Sequence, residues 1–317
     1  MLTIINNFMN KPLPHDKRSL IFGGAGSIKD PEITQFLSSI KLNIPEILND
    51  SSICDTFCKK YYDWIQTSKL NTFSGLEQFQ EICYTNGTTE SFDKFHNKNH
   101  SKRFRCFRGE YMYHPVSWRS YNSDWKFLED DEIRENDAVI ISYPFSDLGD
   151  KHPLTEEVLN QCEELNVPVL IDCTYFGTCN DINFNLAYNC ITDVTFSLSK
   201  SFDVANARIG IRLSKIDDDD PLFVVNKINY TNRIGAYIGL QLINQFSPDF
   251  ISLKYKDKQH ALCNDLSLIP SKCVFFGIGD EKWNEYNRGG PVNRLSFHKL
   301  LHKSIEELKH VSQTYKL

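Results

Sequence analysis

The chain has 317 residues, 41% hydrophobic and 24% charged, an ordinary globular usage with enough length for a sizeable core. Its 35 Lys and Arg stand against 41 Asp and Glu, a formal charge of −6. That balance argues against nucleic acid or an anionic membrane as the main partner.

No run approaches the roughly 20 apolar residues a membrane-spanning helix needs. The opening MLTIINNFMNKPLPHDKRSL lacks the basic flank, long apolar stretch and small-residue cleavage site of a leader, so a cytoplasmic protein is expected. Ten cysteines show no disulfide framework. Cys54 and Cys58 stand at i, i+4 in a helical-looking stretch, but no second close pair with His completes a metal set. Cys162, Cys173, Cys179 and Cys190 are scattered. The expectation is reduced, buried thiols and no metal.

In chain order, Gly23-Gly24-Ala25-Gly26 is a glycine cluster without the strand–turn–helix setting of a dinucleotide loop. It reads as a turn. Residues 81–85 form a strand that ends at Asn86-Gly87, and 88–95 begin a helix. Residues 103–107 are strand-like, and 138–143 (AVIISY) are an apolar run of the kind buried on both faces of a parallel sheet. A helix over 154–165 precedes a strand over 167–172 (VPVLID), and two further strands, 194–197 and 209–213, flank Lys200. His96, His100 and His114 form no ligand set and read as surface or loop residues. The acidic run 217–220 ahead of Pro221 reads as a solvated turn. A long helix over 223–246 follows, then strands over 272–276 and 294–297 and a helix over 298–308.

Such alternation implies βαβ units and an α/β fold, with a mostly parallel central sheet between helices and a small C-terminal α+β domain. The division expected is an N-terminal arm over 1–50, a large domain over 51–225 and a small domain over 226–317.

Open α/β sheets bind ligands beyond the carboxyl ends of their strands. The polar residues there are Asn86-Gly87-Thr88, Ser146 to Gly149, Asp172, and Ser197-Leu198-Ser199-Lys200. They supply a lysine able to condense with a carbonyl, a carboxylate able to keep a ring nitrogen protonated, and donors that with Arg208 suit a phosphate dianion. Pyridoxal phosphate makes these demands together.

Here the chain resembles the fold-type I pyridoxal-phosphate enzymes, specifically the class I/II aminotransferase family, from about Tyr84 to Arg212 and again near Arg294. SLSKSFDVANARIG is similar to the family's S-x-S-K followed by R-x-G, with Ser197, Lys200, Arg208 and Gly210 in register. VPVLIDCTYFG matches the strand-end Asp with Tyr three residues later, Asp172 and Tyr175. TNGTTESF resembles the glycine turn that opens a helix at the phosphate. Lys200 lies 28 positions after Asp172.

The resemblance implies a fold-type I transferase and an aminotransferase reaction between an amino donor and a 2-oxo acid or other carbonyl acceptor, both small molecules, in a homodimer. It makes Lys200 the Schiff-base lysine and proton carrier, Asp172 the partner of the pyridine nitrogen and Tyr175 a donor to the ring's 3′ oxygen. Asn86, Gly87, Thr88, Ser197 and Arg208 surround the phosphate, and Tyr113 stacks on the ring. Arg294 clamps the substrate carboxylate, and Gly24 lies over the substrate. Tyr111 and Trp118 compete with Tyr113, and Arg288 in NRGGPVNR competes with Arg294.

There are departures. The family's N-P-x-N-P-T-G stretch is Tyr143-Pro144-Phe145-Ser146-Asp147-Leu148-Gly149, so Ser146 takes the place of a cofactor-binding asparagine. The chain is shorter than most relatives, and Tyr230 or Asn232 are the candidates for a contact across subunits. Two other readings stand beside transamination: an amino-acid decarboxylase or lyase of the same fold, and a catalytically inactive regulatory module.

Overall fold

The computed structural model describes residues 20–215 and 220–315. Most of the opening segment and Asp217 to Asp219 of the acidic run lie outside them. Three helices come first, α1 (Pro31–Ser39), α2 (Ile44–Asn49) and α3 (Ile53–Gln66). Then follow β1 (Thr72–Ser74), β2 (Glu81–Thr85), α4 (Thr88–Lys98), β3 (Arg103–Cys106), α5 (Tyr113–Ser120), β4 (Trp125–Phe127) and β5 (Asp137–Ser142). Next come α6 (Thr155–Glu164), β6 (Val169–Asp172), β7 (Asn183–Asn185), β8 (Ile191–Ser197) and β9 (Gly210–Ser214). The chain closes with α7 (Pro221–Lys227), α8 (Arg233–Gln245), α9 (Phe250–Leu266), β10 (Ile269–Pro270), β11 (Phe276–Gly279), β12 (Asn293–Ser296), α10 (Ile305–Leu308) and α11 (Val311–Tyr315).

Seven strands form the central sheet in the order β2-β9-β8-β6-β5-β3-β4. Only β9 runs against its neighbours, so the mostly parallel sheet expected from the alternating segments is present. All six residues of β5 are buried, because helices cover both faces; each such aliphatic side chain contributes roughly 1.5–3 kcal/mol. On α3 the buried residues Ile53, Phe57, Tyr61, Trp64 and Ile65 recur every three or four positions and pack the helix inward. The edge strand β2 is closed by α7. Asn226 accepts from the Tyr84 N–H at 2.9 Å and donates to the Tyr84 carbonyl at 3.1 Å, taking up backbone groups that an open edge would expose.

Several expected elements differ. The helix over 223–246 is two helices, because Asn229 adopts φ 60° and Asn232 starts α8 by accepting from the Gly235 N–H at 2.8 Å. Asp220 is no solvated turn residue. It is buried, caps α7 through the Leu222 N–H and pairs with Arg212 at 2.7 Å. The strand placed at 272–276 begins only at Phe276; Cys273 and Val274 bond instead to Gly149 and Thr178. The helix placed over 298–308 shrinks to α10, whose start is fixed by a capping box between Ser304 and Glu307. His96 and His114 are not surface residues. Both are buried among Phe92, Phe104 and Trp118, while His100 is exposed.

All ten cysteines are buried and none forms a disulfide. Among the described residues no helix is long and apolar enough to cross a membrane, and no cluster of three or more His, Cys, Asp or Glu is placed to hold a metal.

Candidate active site

The carboxyl ends of β6 and β8 and the N-terminus of α4 open onto one cavity of about 310 Å³. Its remaining wall comes from the chain after β8, the segment 288–294 and the glycine cluster near residue 24. That cluster is fixed to β12, where the Ser296 N–H donates to the Phe22 carbonyl at 2.8 Å.

One end of the cavity is built for an anion. Gly87 precedes α4 at φ 74° and offers no side-chain cap, so the positive end of the helix dipole meets the cavity at Thr88 and Thr89. Arg208 reaches the same place and donates to Thr89 Oγ at 2.8 Å. A Cβ on residue 87 would press on the Arg208 guanidinium, and the positive φ there already favours glycine. Arg208 itself is left-handed at φ 56°, a strained backbone held by Tyr84, whose hydroxyl donates to its carbonyl at 2.9 Å. Ser197 and Ser199 complete this end, their hydroxyls 2.6 Å apart.

The middle of the cavity holds Asp172, Tyr175 and Lys200. Asp172 accepts from the Thr174 N–H at 3.0 Å and the Thr174 hydroxyl at 2.5 Å. Burial pushes its carboxyl up to about 7, helped by the nearby Glu110 and opposed by Thr174 and Lys200. Among the described residues no cation pairs with it directly. Burial, with Arg294, lowers the Lys200 ammonium to about 8. Lys200 Nζ donates to the Ala25 carbonyl and sits 5.6 Å from the centre of the Tyr175 ring.

The far end carries two arginines. Arg294 donates to the Ser146 carbonyl at 2.7 Å and the Gly24 carbonyl at 2.8 Å; burial and the neighbouring Arg288 push it down to about 10. Arg288 donates to the same Ser146 carbonyl at 3.2 Å.

Gly24, Thr88, Ser146, Asp172, Tyr175, Ser197, Lys200, Arg208 and Arg294 therefore share one cavity wall. Asn86 does not line it; it is exposed and spends its donors on Glu90. Gly87 lies behind Arg208. Tyr113 also stands off the wall, because its hydroxyl is drawn to Asp93 at 2.6 Å, and Tyr111 and Met112 take its place. The Ser146 hydroxyl contacts the Gly109 carbonyl at 3.1 Å and Glu110 at 3.0 Å.

Sequence reasoning gave Ser199 no role of its own and passed over Thr89, Thr174 and Glu110. The first three adjoin expected residues and were open to the same strand-end argument. Glu110 carried no signal; it is buried and accepts from the Ser142 N–H and both Ser142 and Ser146 hydroxyls.

No family model matches the sequence, and no curated protein does. Solved structures do match. An aminotransferase from Staphylococcus aureus superposes with a TM-score of 0.64 at 13% identity, over 98% of this chain and 97% of that one. A probable N-succinyldiaminopimelate aminotransferase from Thermus thermophilus gives 0.63 at 14% identity over 92% of each chain. An aromatic aminotransferase from Pyrococcus horikoshii gives 0.61 at 14% identity, over 92% of this chain and 95% of that one. The fold is that of these aminotransferases, as the sequence resemblance implied.

Proposed function

We propose that the protein is a pyridoxal-phosphate-dependent aminotransferase. The observation that carries this is one cavity that joins three groups: the anion end at Thr88, Thr89 and Arg208, the pair Asp172 and Lys200, and the guanidinium of Arg294. The donor set fits the cofactor. A dianion suits a helix N-terminus with an arginine and four hydroxyls beside it, and a buried carboxylate with no cation of its own suits a protonated ring nitrogen.

Pyridoxal phosphate, when bound, supplies an electron sink for negative charge developing at the substrate α-carbon. The chain's own residues do the rest. Arg208, Thr88, Thr89, Ser197 and Ser199 hold the phosphate, and Asp172 keeps a proton on the ring nitrogen. Tyr175 presents its hydroxyl from the wall, and Tyr111 rather than Tyr113 presents the aromatic face. Lys200, lowered to about 8, has enough neutral amine near pH 7 to bond the cofactor. Its Nζ, the group that would hold the cofactor, would also carry the proton that leaves the substrate α-carbon. Arg294 anchors the substrate carboxylate as a planar fork.

In this reading the donor and acceptor are small molecules, the assembly is a homodimer, and the protein works in the cytoplasm. The test is a donor and acceptor screen on purified protein with added pyridoxal phosphate, followed by visible absorbance. An amino donor alone should convert the bound cofactor to its amine form, and an acceptor should restore it. Borohydride should fix the cofactor on Lys200, and Lys200→Ala should abolish both the fixation and the turnover. Carbon dioxide release with the cofactor form unchanged would replace transamination by decarboxylation. No cofactor absorbance at all would overturn the reading.

A further inference from the structure

The proposed reaction uses none of the cysteines, yet two of them face each other. Cys179 closes the turn that follows Tyr175, and Cys273 lies just ahead of β11; they are partners in an isolated antiparallel bridge. We propose that Cys179 and Cys273 are the site of an intrachain disulfide, made by a hydroperoxide and undone by thiols. The proposal concerns the chain itself and stands whether or not the reaction assigned above is right.

The backbone sets the geometry. The Asn180 N–H donates to the Lys272 carbonyl at 3.1 Å, and the Val274 N–H to the Thr178 carbonyl at 2.9 Å. These bonds flank the two cysteines instead of joining them, which makes the cysteines a non-hydrogen-bonded antiparallel pair. The Cα atoms of such a pair lie about 4.5 Å apart, with the side chains close together on one face. That falls inside the span of about 4.4–6.8 Å that a disulfide bridges. Among the described residues no other two cysteines are set opposite each other by backbone pairing. In the reduced chain each sulfur has its own contact: Cys179 Sγ donates to the Phe176 carbonyl at 3.1 Å, and Cys273 Sγ lies 3.3 Å from the Thr178 hydroxyl.

The two thiols are not equivalent. Burial pushes Cys273 up to about 11, opposed by the Thr178 hydroxyl, the Phe275 N–H, Arg294 and Lys200. Burial holds Cys179 well above its ordinary value, and Cys273, Cys173, Asp150 and Asp249 all add to the rise. Cys273 is therefore the thiol of the pair that ionises first and attacks. Its thiolate takes one oxygen of hydrogen peroxide, the O–O bond breaks, and the hydroxide released leaves as water with the thiol's proton. Cys179 then attacks the sulfur of the Cys273 sulfenic acid, the S–O bond breaks, and a second water leaves. Two thiols are oxidised to one disulfide while one peroxide is reduced to two waters. Both side chains are buried, so the oxidant must be as small and neutral as hydrogen peroxide. Burial slows the first step, and it shields the bond once made.

The crosslink would join two segments that meet at the cavity. Tyr175, in the turn before Cys179, packs on Phe276 with ring centres 5.2 Å apart, and the Arg294 guanidinium stands 4.3 Å over the same Phe276 ring. Phe276 begins β11, directly after the Cys273 segment. The bond therefore lies behind the wall that Tyr175 and Arg294 share, and it would hold that wall together when either segment loosens.

The test treats the folded, purified protein with hydrogen peroxide, quenches with catalase and counts thiols in urea. Two of the ten thiols should be lost, and dithiothreitol should restore them. Mass spectrometry of unreduced peptides should find Cys179 joined to Cys273. In Cys179→Ser the bond should be absent and dimedone should trap a sulfenic acid on Cys273, whereas Cys273→Ser should give neither bond nor adduct. The oxidised wild type should unfold at a higher urea concentration than the reduced protein, because the bond closes a long loop in the unfolded chain. Cys179→Ser should show no such rise on treatment. Retention of all ten thiols, or a bond mapped to any other pair, overturns the proposal. The peptide map of the wild type decides the matter even where a serine variant folds poorly.

Discussion

Asp172 is held in a place that disfavours its own charge. Its carboxyl is raised to about 7, first by burial and then by Glu110, against an ordinary value near 3.8 in the unfolded chain. A group raised in the fold binds its proton more tightly there. The stability this brings is full below about pH 4 and is lost as pH rises through about 7. Asp172→Asn keeps an acceptor for Thr174 and removes the charge. In cofactor-free protein at pH 8 it should raise stability by roughly 1–3 kcal/mol, with the gain vanishing near pH 4 in urea denaturation. Turnover should fall by about a thousandfold, because no carboxylate then holds the ring proton. Equal stability at pH 8 would show that the buried charge is already matched. Residues such as Lys200, Asp172 and Arg208 were legible because their spacing is set by adjacent strands, whose ends lie on one edge of the sheet. Tyr113 was misplaced because two aromatics two residues apart differ only in what else they reach, and Asp93 captures Tyr113.

Helix α4 and the turn just ahead of α5 each carry part of the cavity wall, and a buried aromatic cluster joins the two helices. His96 on α4 and His114 on α5 stand with ring centres 5.9 Å apart, and none of their four ring nitrogens has a partner. Burial lowers His96 to about 4 and holds His114 well below its ordinary value, the second also through its neighbour His96. Neutral histidines in the fold take up protons on unfolding, so stability is full above about pH 6.5 and falls as pH drops toward 4. Each histidine contributes a slope of about 1.4 kcal/mol per pH unit in that window. His114→Phe keeps the packing against Phe92 and Trp118 and should remove about one such slope, measured as the urea midpoint at pH 5 against pH 7.5. If its acid sensitivity equals that of wild type, the pair does not set it. Cofactor uptake should weaken over the same pH range, because Thr88 opens α4 and Tyr111 lies two residues ahead of α5. Helix α9 shows why other elements were not legible. Its inward face includes Ser252 and Gln259, which blur the apolar period. Gln259 is buried because its amide donates to the carbonyls of Ser271, Cys273 and Phe276, partners supplied only by the folded chain.

At the scale of the molecule, the parallel sheet could be read from continuous apolar strands, since β5, β6 and β8 are buried on both faces and need no alternation. The homodimer proposed above would leave a fainter trace. Leu48 on α2 is 50% exposed, and Ile228 and Tyr230, in the connector between α7 and α8, are 53% and 80% exposed. Arg233 ties these places together by donating to the carbonyls of Leu48 and Asn229, so the apolar side chains belong to one face rather than to scattered sites. The same connector reaches the anion end of the cavity, where Asn232 Nδ2 donates to the Ala207 carbonyl at 3.1 Å, next to Arg208. A partner seated on this face would therefore brace the loop that carries Arg208. The expected outcome is a homodimer by light scattering at micromolar concentration. Ile228→Asp with Tyr230→Asp should make it a monomer, since a buried unpaired carboxylate opposes burial of the face. The monomer should retain its far-ultraviolet circular dichroism and bind pyridoxal phosphate about tenfold or more weakly, the loss of a bracing contact of about 1.4 kcal/mol. A wild type that stays monomeric, or a double variant that remains dimeric, would rule out this face. A monomer with undiminished cofactor affinity would show that the face closes the dimer without supporting the site.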